Sequence, residues 1–328
     1  MSLSRRTKQR YHPFWLKPAT RSFFQEARKT SGYSLFDWLH GYIYGRWPYF
    51  YISVGTGEHT LSGFFQKLWD IFTGIFQPKK GNNGSSAKID FANGYHGKVM
   101  PLEQATRLVT VNKEISIRDL EQIIPYTKAR DIVLQNPDHV VALECPCRAA
   151  RPNPCNPLDV CLILGEPFAG FVQEHHPHRS RRITQKEAVD ILQAEHERGH
   201  VHHAFFKDAM LGRFYAICNC CKCCCGAMQA WRNDTPMLAS SGYVNQIDRD
   251  LCILCEACAD ACPFGAIRMH DDMVVLDEKL CMGCGVCVSK CKIGALSLVR
   301  DAGKGEPLEI YELIANADKE SCIETTFG

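Results

Sequence analysis

The sequence predicts an α+β protein: a small C-terminal module with repeated cysteine motifs, fused to a larger cysteine-rich α+β domain, with an extended helical aromatic arm at the N-terminus. Three observations carry this prediction. Cysteine is absent from residues 1–144, and all 19 cysteines fall in 145–322. Helical and strand-like periodicities alternate through residues 89–240. Of the 33 Phe, Tyr and Trp residues, 19 lie in residues 1–76.

A chain of 328 residues exceeds the roughly 250 that one core ordinarily reaches. The expected division is an arm and linker over 1–88, a cysteine-rich domain over 89–240, the repeated-motif module over 241–300, and an acidic tail over 301–328 that holds the lone Cys322. Charged residues at 23% and hydrophobic residues at 45% fit globular rather than disordered material. The net charge of +2 argues against a globally basic nucleic-acid binder, so no nucleic acid is expected as partner. That charge averages a basic segment, +8 over residues 1–80, with an acidic remainder of −6. Arg5 and Arg6 are not followed by the apolar run of a signal peptide, and no run of 18 apolar residues exists to span a bilayer. The expected setting is a reducing compartment, where thiolates bind metal instead of pairing as disulfides.

In the arm, Leu61, Phe64, Phe65, Leu68, Trp69, Phe72, Ile75 and Phe76 follow i, i+3, i+4, i+7 spacing, which predicts an amphipathic helix over 61–76, too short to cross a membrane. Its aromatic face and the basic charge favour an external surface over a self-contained core. Residues 77–88, QPKKGNNGSSAK, read as a flexible linker. In the middle domain, Ser116 is positioned to cap a helix with Ile117, Leu120, Ile123 and Ile124, and a second helix is expected over 126–135. Residues 140–143 read as a buried strand running into Cys145. Thr184 and Glu187 form a capping box for a helix carrying Ala188, Ile191, Leu192 and Glu195, with Gly199 to end it. Strands are expected over 201–206 and 213–218. Alternation puts His200 and His202 on one face and His203 on the other. The basic, histidine-rich 174–182 reads as a solvated loop.

The cysteine spacing is the most specific signal. Cys252-x-x-Cys255-x-x-Cys258-x-x-x-Cys262-Pro263 is followed by Cys281-x-x-Cys284-x-x-Cys287-x-x-x-Cys291. Three cysteines at two-residue gaps wrap a tight loop around one cubane, and the fourth starts a segment crossing toward its neighbour. Over about 240–300 the chain closely resembles the bacterial dicluster ferredoxins. The resemblance implies two [4Fe-4S] clusters, one held by Cys252, Cys255, Cys258 and Cys291, the other by Cys281, Cys284, Cys287 and Cys262, with one-electron transfer as the activity. Lys292 stands where the second motif's proline would be expected. Gly283 and Gly285 would let backbone amides approach cluster sulfurs. Val244, Ile247, Ile267, Val274, Val275, Leu296 and Leu298 are expected to supply short strands and a small core.

Ten further cysteines lie upstream: Cys145, Cys147, Cys155, Cys161, Cys218, Cys220, Cys221, Cys223, Cys224 and Cys225. Six within eight residues are unsuited to an ordinary core, where thiols pointing several ways would be wasted or reactive; a soft metal accounts for them. Ten exceeds the four thiolates of one cubane or the eight of two. With Cys145-Pro146-Cys147-Arg148, Cys161-Leu162 and Ile217-Cys218-Asn219-Cys220-Cys221-Lys222-Cys223-Cys224-Cys225, residues 98–300 resemble anaerobe-type multi-cluster iron–sulfur proteins, as does the Gly199-His200-Val201-His202 segment. Cys224-Cys225-Gly226 is also similar to the Cys-Cys-Gly domain of heterodisulfide-reductase-like subunits, which hold a non-cubane cluster. At least one additional iron–sulfur cluster is therefore expected here. The alternative is a structural zinc site, with His202 or His203 as further ligands.

The resulting expectation is an electron-transfer subunit that docks a larger oxidoreductase subunit through its N-terminal arm in the cytoplasm, with peripheral contact at the inner face of the membrane as the second placement. The competing expectations are a self-contained reductase, with an open cluster at Cys218–Cys225 assisted by His202, and a zinc-containing redox sensor.

Overall fold

A computed structural model of the chain describes residues 17–64, 84–271 and 273–327. The expected amphipathic helix over 61–76 lies outside the described residues beyond Phe64, as do residues 77–83 of the expected linker. From Gly84 the chain is helical, not linker-like, through Gly94.

Helices and strands are mixed throughout, as an α+β protein requires. The body is built on an eight-stranded sheet. Its strands are β1 (Tyr95–Met100), β2 (Ile115–Ile117), β3 (Ile132–Glu144), β4 (Asp159–Glu166), β5 (Ser180–Ile183), β6 (Val201–Lys207), β7 (Arg213–Cys220) and β8 (Leu238–Ala239). The order is β2-β3-β4-β7-β6-β1-β8, with β5 paired to β3. All pairings are antiparallel except β1 with β8. Strand β6 is buried at every position, as expected for a central strand covered on both faces.

Two sequence expectations are corrected in this sheet. The helices expected from Ser116 to Ile124 and over 126–135 do not form. Ile115 and Ile117 instead alternate with exposed Ser116 in β2 and pair with Leu134 and Ile132 of β3. Apolar residues at short spacing fit either period, and cross-strand partners far along the chain decide between them. The capping box is present: the Thr184 side chain accepts from the Glu187 amide, and the Glu187 carboxylate accepts from the Thr184 amide, opening a helix over Gln185–Glu197. Gly199, at φ +84°, turns the chain out of it.

Over its described residues 17–64, the N-terminal segment is not an extended arm. Helices α1 (Pro18–Lys29), α2 (Leu35–Arg46) and α3 (Pro48–Gly55) pack on the body, and Phe23, Tyr42 and Tyr44 belong to the main core. The Phe23 ring meets Phe168 and Phe171 edge-on at centroid distances of 5.8 and 5.6 Å. Gly41 and Gly45 allow the close approach: a Cβ at Gly41 would overlap the Ala209 carbonyl, and one at Gly45 would sit 2.9 Å from the Phe171 ring. Phe23, Tyr42 and Tyr44 thus serve burial, worth about 1.5–3 kcal/mol for a fully buried large side chain, whereas Phe36, Trp47 and Phe50 stay 44–76% exposed. The expected solvated loop over 174–182 is largely structured as well. Glu174 accepts from the Ala19 amide, and the buried His175 and His176 face Thr20 and the Gly45 carbonyl.

The C-terminal module holds two small antiparallel sheets, β9 (Tyr243–Ile247) with β12 (Leu296–Arg300) and β10 (Ile267–His270) with β11 (Met273–Leu276). Two one-turn helices, Ala257–Ala261 and Val286–Lys290, follow the cysteine loops. A final helix, Ile310–Phe327, takes up the expected acidic tail. Among the described residues, no helix is long and apolar enough to cross a membrane.

Candidate metal centres

The module's eight cysteines are gathered in two groups. Cys252, Cys255, Cys258 and Cys291 line one cavity with Ile253, Val274, Ile293 and Leu296. Cys262, Cys281, Cys284 and Cys287 line a second, with Pro263, Phe264 and Leu298. Each group takes three sulfurs from one motif and its fourth from the other, the same crossed quartets that the spacing implies. Gly283 and Gly285 sit in the left-handed region, at φ +63° and +78°, which keeps this backbone close to the second cavity. Asn245 Nδ2 donates to Cys287 Sγ at 3.4 Å, and the Ala266 amide to Cys262 Sγ at 3.3 Å. Such donors favour thiolate over thiol. Two apolar hollows, each ringed by four thiols, fit the donor set of a [4Fe-4S] cluster.

The two quartets differ in position. Cys284 of the second belongs to the main core, as does Val286 two residues on, and Trp231 meets Phe264 of the cavity wall at 5.1 Å. The first lies outward. Cys255 is exposed, and Leu251, Ile253, Leu254 and Ile293 around it are 40–67% exposed.

Residues 245–268 and 274–297 match the 4Fe-4S binding domain. Those two stretches contain all eight cysteines of the quartets, so the chain carries a ferredoxin-like iron–sulfur module, and the match supports a role in iron–sulfur electron transfer. No curated protein matches the chain.

The ten upstream cysteines fall outside that match, and tertiary structure divides them. Cys145, Cys147, Cys161, Cys218, Cys220 and Cys225 line a single cavity at one end of β3, β4 and β7. An unbroken series of neighbouring thiols runs Cys218, Cys161, Cys145, Cys147, Cys225, Cys220. Strand adjacency creates the series. Leu143 at the end of β3 lies opposite Cys161, and Leu162 lies opposite Ile217, one residue from Cys218. The cavity's empty space, including its opening, is about 860 Å³, against about 320 and 350 Å³ for the two quartet cavities. Its wall is completed by Tyr44, Gly45, Pro48 and Ile52 of the N-terminal helices. Tyr44 and Tyr215 share a 2.8 Å hydroxyl hydrogen bond beside it, and burial raises both phenols, so they stay neutral. A register shift in β7 opposite Phe205 and Phe206 accommodates Tyr215 as an extra residue, and the Tyr215 ring lines the cavity.

Crowding resists ionisation of these thiols. Cys145 is pushed up to about 12, first by its Cys147 neighbour and further by burial. Cys161 is raised by neighbours Cys145 and Cys218 and by burial. Soft cations would reverse this preference by binding thiolate, so the six thiols fit a metal cluster and are poorly placed as free nucleophiles.

Cys155, Cys221, Cys223 and Cys224 form the second upstream set, with all four sulfurs within 4.8 Å of one another. Cys221 also borders the six-thiol cavity. Neither His202 nor His203 joins either set, which corrects their expected role as zinc ligands. His202 Nδ1 faces Asn219 Oδ1 at 2.6 Å, its ring stacks on His196, and burial lowers both His202 and His203, leaving each neutral.

Arg148, which follows Cys147 in the sequence, has a structural role that the motif does not reveal. Its side chain is 1% exposed and is paired with Glu195, at 0%. It also donates to the carbonyls of Pro157 and Asn219. One guanidinium therefore joins the three segments that carry Cys145 and Cys147, Cys155 and Cys161, and Cys218 and Cys220. The helical position of Glu195, three residues after Leu192, was legible; its burial was not.

Proposed function

We propose that this chain is an electron-transfer protein with two [4Fe-4S] clusters in the crossed quartets and a further iron–sulfur cluster in the six-thiol cavity. The single observation that carries this reading is the gradation of the donor sets, from a buried six-thiol cavity, through a quartet set into the core, to a quartet with an exposed cysteine. Iron–sulfur clusters supply reversible one-electron chemistry when bound. The protein's own part is to hold thiolates in place, to exclude water with Tyr44, Tyr95, Phe168 and Phe205, and to bring one donor set to the surface. A partner oxidoreductase would meet the chain beside Cys255, where Leu251, Ile253 and Leu254 offer an apolar rim. Docking through the N-terminal segment is the alternative placement, although Phe23, Tyr42 and Tyr44 of that segment are committed to the core.

Anaerobic purification with iron and sulfide analysis tests the cluster content. About 12 or more irons per chain are expected, and about eight would remove the cluster from the six-thiol cavity. Ile253→Asp with full iron content should slow electron exchange with the co-purifying partner; an unchanged rate would remove the Cys255 face as the contact. A self-contained reductase is favoured only if the isolated chain turns over a substrate.

A further inference from the structure

We propose that Cys155, Cys221, Cys223 and Cys224 form a mononuclear tetrathiolate site for Zn²⁺, separate from every iron–sulfur centre of the chain. The proposal does not depend on how many clusters the six-thiol cavity holds.

Sulfur spacing carries it. A tetrahedral ZnS₄ site with bonds of about 2.3 Å places its sulfurs roughly 3.8 Å apart. Here Cys223 and Cys224 sulfurs are 3.7 Å apart, Cys155 and Cys223 sulfurs 2.9 Å, and all four lie within 4.8 Å of one another. A cubane puts each thiolate on its own iron, outward from the cube, and so needs a wider set. The chain supplies its own comparison: among the described residues, neither crossed quartet is gathered as tightly as this group.

Local geometry agrees. Cys221-x-x-Cys224 has the two-residue gap common to structural zinc sites. The Cys224 amide donates to Cys221 Sγ at 3.3 Å, the kind of contact that holds a thiolate ligand in a tight turn. Cys155 comes from a loop 68 residues upstream of Cys223, so a bound ion would tie that loop to the turn. Four thiolates on Zn²⁺ leave a net charge of −2, and binding replaces the four S–H protons. Cations lie close by. Arg151 donates to the Cys224 carbonyl at 3.3 Å, and Arg232 donates to the carbonyl of Lys222, inside the turn. Lys222 Nζ reaches the Asp260 carbonyl at 3.4 Å, between Cys258 and Cys262. The site would thus brace the segment carrying Cys220 and Cys225 against the ferredoxin-like module.

Cys155 and Cys223 are the ligands to change, because neither lines the six-thiol cavity. The full chain, purified anaerobically from cells supplied with both iron and zinc, should contain about one zinc per chain, and its zinc-edge X-ray absorption should fit four sulfurs near 2.3 Å. Cys155→Ser/Cys223→Ser should lose that zinc and keep its iron. Zinc filling empty cluster sites would survive this double substitution and would overturn the proposal. So would loss of about four irons from the variant, a nitrogen or oxygen ligand in the wild-type spectrum, or a single iron in place of zinc. If the variant fails to fold, the wild-type spectrum and zinc count still decide.

Discussion

Arg148 and Glu195 form an ion pair in the protein interior, their side chains 1% and 0% exposed. Glu195 also accepts from Arg198 and faces His200, while Arg148 reaches the Asn219 carbonyl between two cavity cysteines. Removing one partner leaves the other charged and buried, which typically costs about 3–5 kcal/mol. Glu195→Ala should therefore lower the apparent melting temperature by on the order of 10 °C. It should also reduce iron above the C-terminal complement, because Arg148 would no longer be held against the cysteine segments. Retention of all iron at the wild-type melting temperature would show that the pair does not position these ligands.

Two glycines of the C-terminal module make a matched test of backbone crowding. Gly283 and Gly294 both have positive φ, +63° and +70°. A Cβ at Gly283 would overlap the Tyr243 carbonyl and Ser241 Oγ, whereas nothing lies within 4 Å of one at Gly294. Gly294→Ala should cost only the left-handed penalty of about 1–2 kcal/mol. Gly283→Ala should cost more and displace the Cys281–Cys284 loop, read as lower iron content. Equal effects would mean that the close contact with residues 241–243 is dispensable.

The crossed quartets predict a specific pattern of non-additivity. Cys258 and Cys291 belong to different motifs but line the same cavity. Cys258→Ser, Cys291→Ser and the double variant should each lose the same cluster, about four irons. Cys258→Ser with Cys287→Ser should affect both. Iron loss that follows motif membership instead of cavity membership would refute the crossed assignment.

His96 sets an acid limit on stability. It is fully buried, stacked on Tyr126 at 3.8 Å, with its ring nitrogens 2.9 and 3.1 Å from the carbonyls of Ala92 and Ala129. Burial lowers it to about 4, although the carbonyls pull the other way. Between about pH 6.5 and 4 the unfolded chain binds a proton here that the folded chain does not, so stability falls as pH drops through that window, by roughly 3 kcal/mol in total. His96→Gln should be less stable than wild type at pH 7 but show a shallower loss between pH 7 and 4.5 in apparent melting temperature. Parallel curves would mean that His96 titrates normally.

The cysteine loops of the C-terminal module were legible because their information is local. Gaps of two and three residues dictate which sulfurs share a turn, and the fourth ligand follows from the repeat. The capping box of Thr184 and Glu187 and the strand before Cys145 were legible for the same reason. The segment from Ser116 to residue 135 was not, because Ile115, Ile117, Ile132 and Leu134 satisfy a strand period only once they face each other. The histidines at 175 and 176 looked exposed in a charged run, yet their partners lie on α1 and α2, more than 120 residues upstream.

Composition and spacing alone established that this chain handles soft metal, that eight of its cysteines form two repeated motifs, and that ten more need another explanation. How those ten divide was decided only by the sheet. Antiparallel pairing of β3, β4 and β7 brings Cys145, Cys161 and Cys218 to one end, while the chain reversal after Cys220 turns Cys221, Cys223 and Cys224 toward Cys155. Sulfurs adjacent in sequence thus enter different sites, because ligand sets depend on distances in space and spacing reports those only within a turn.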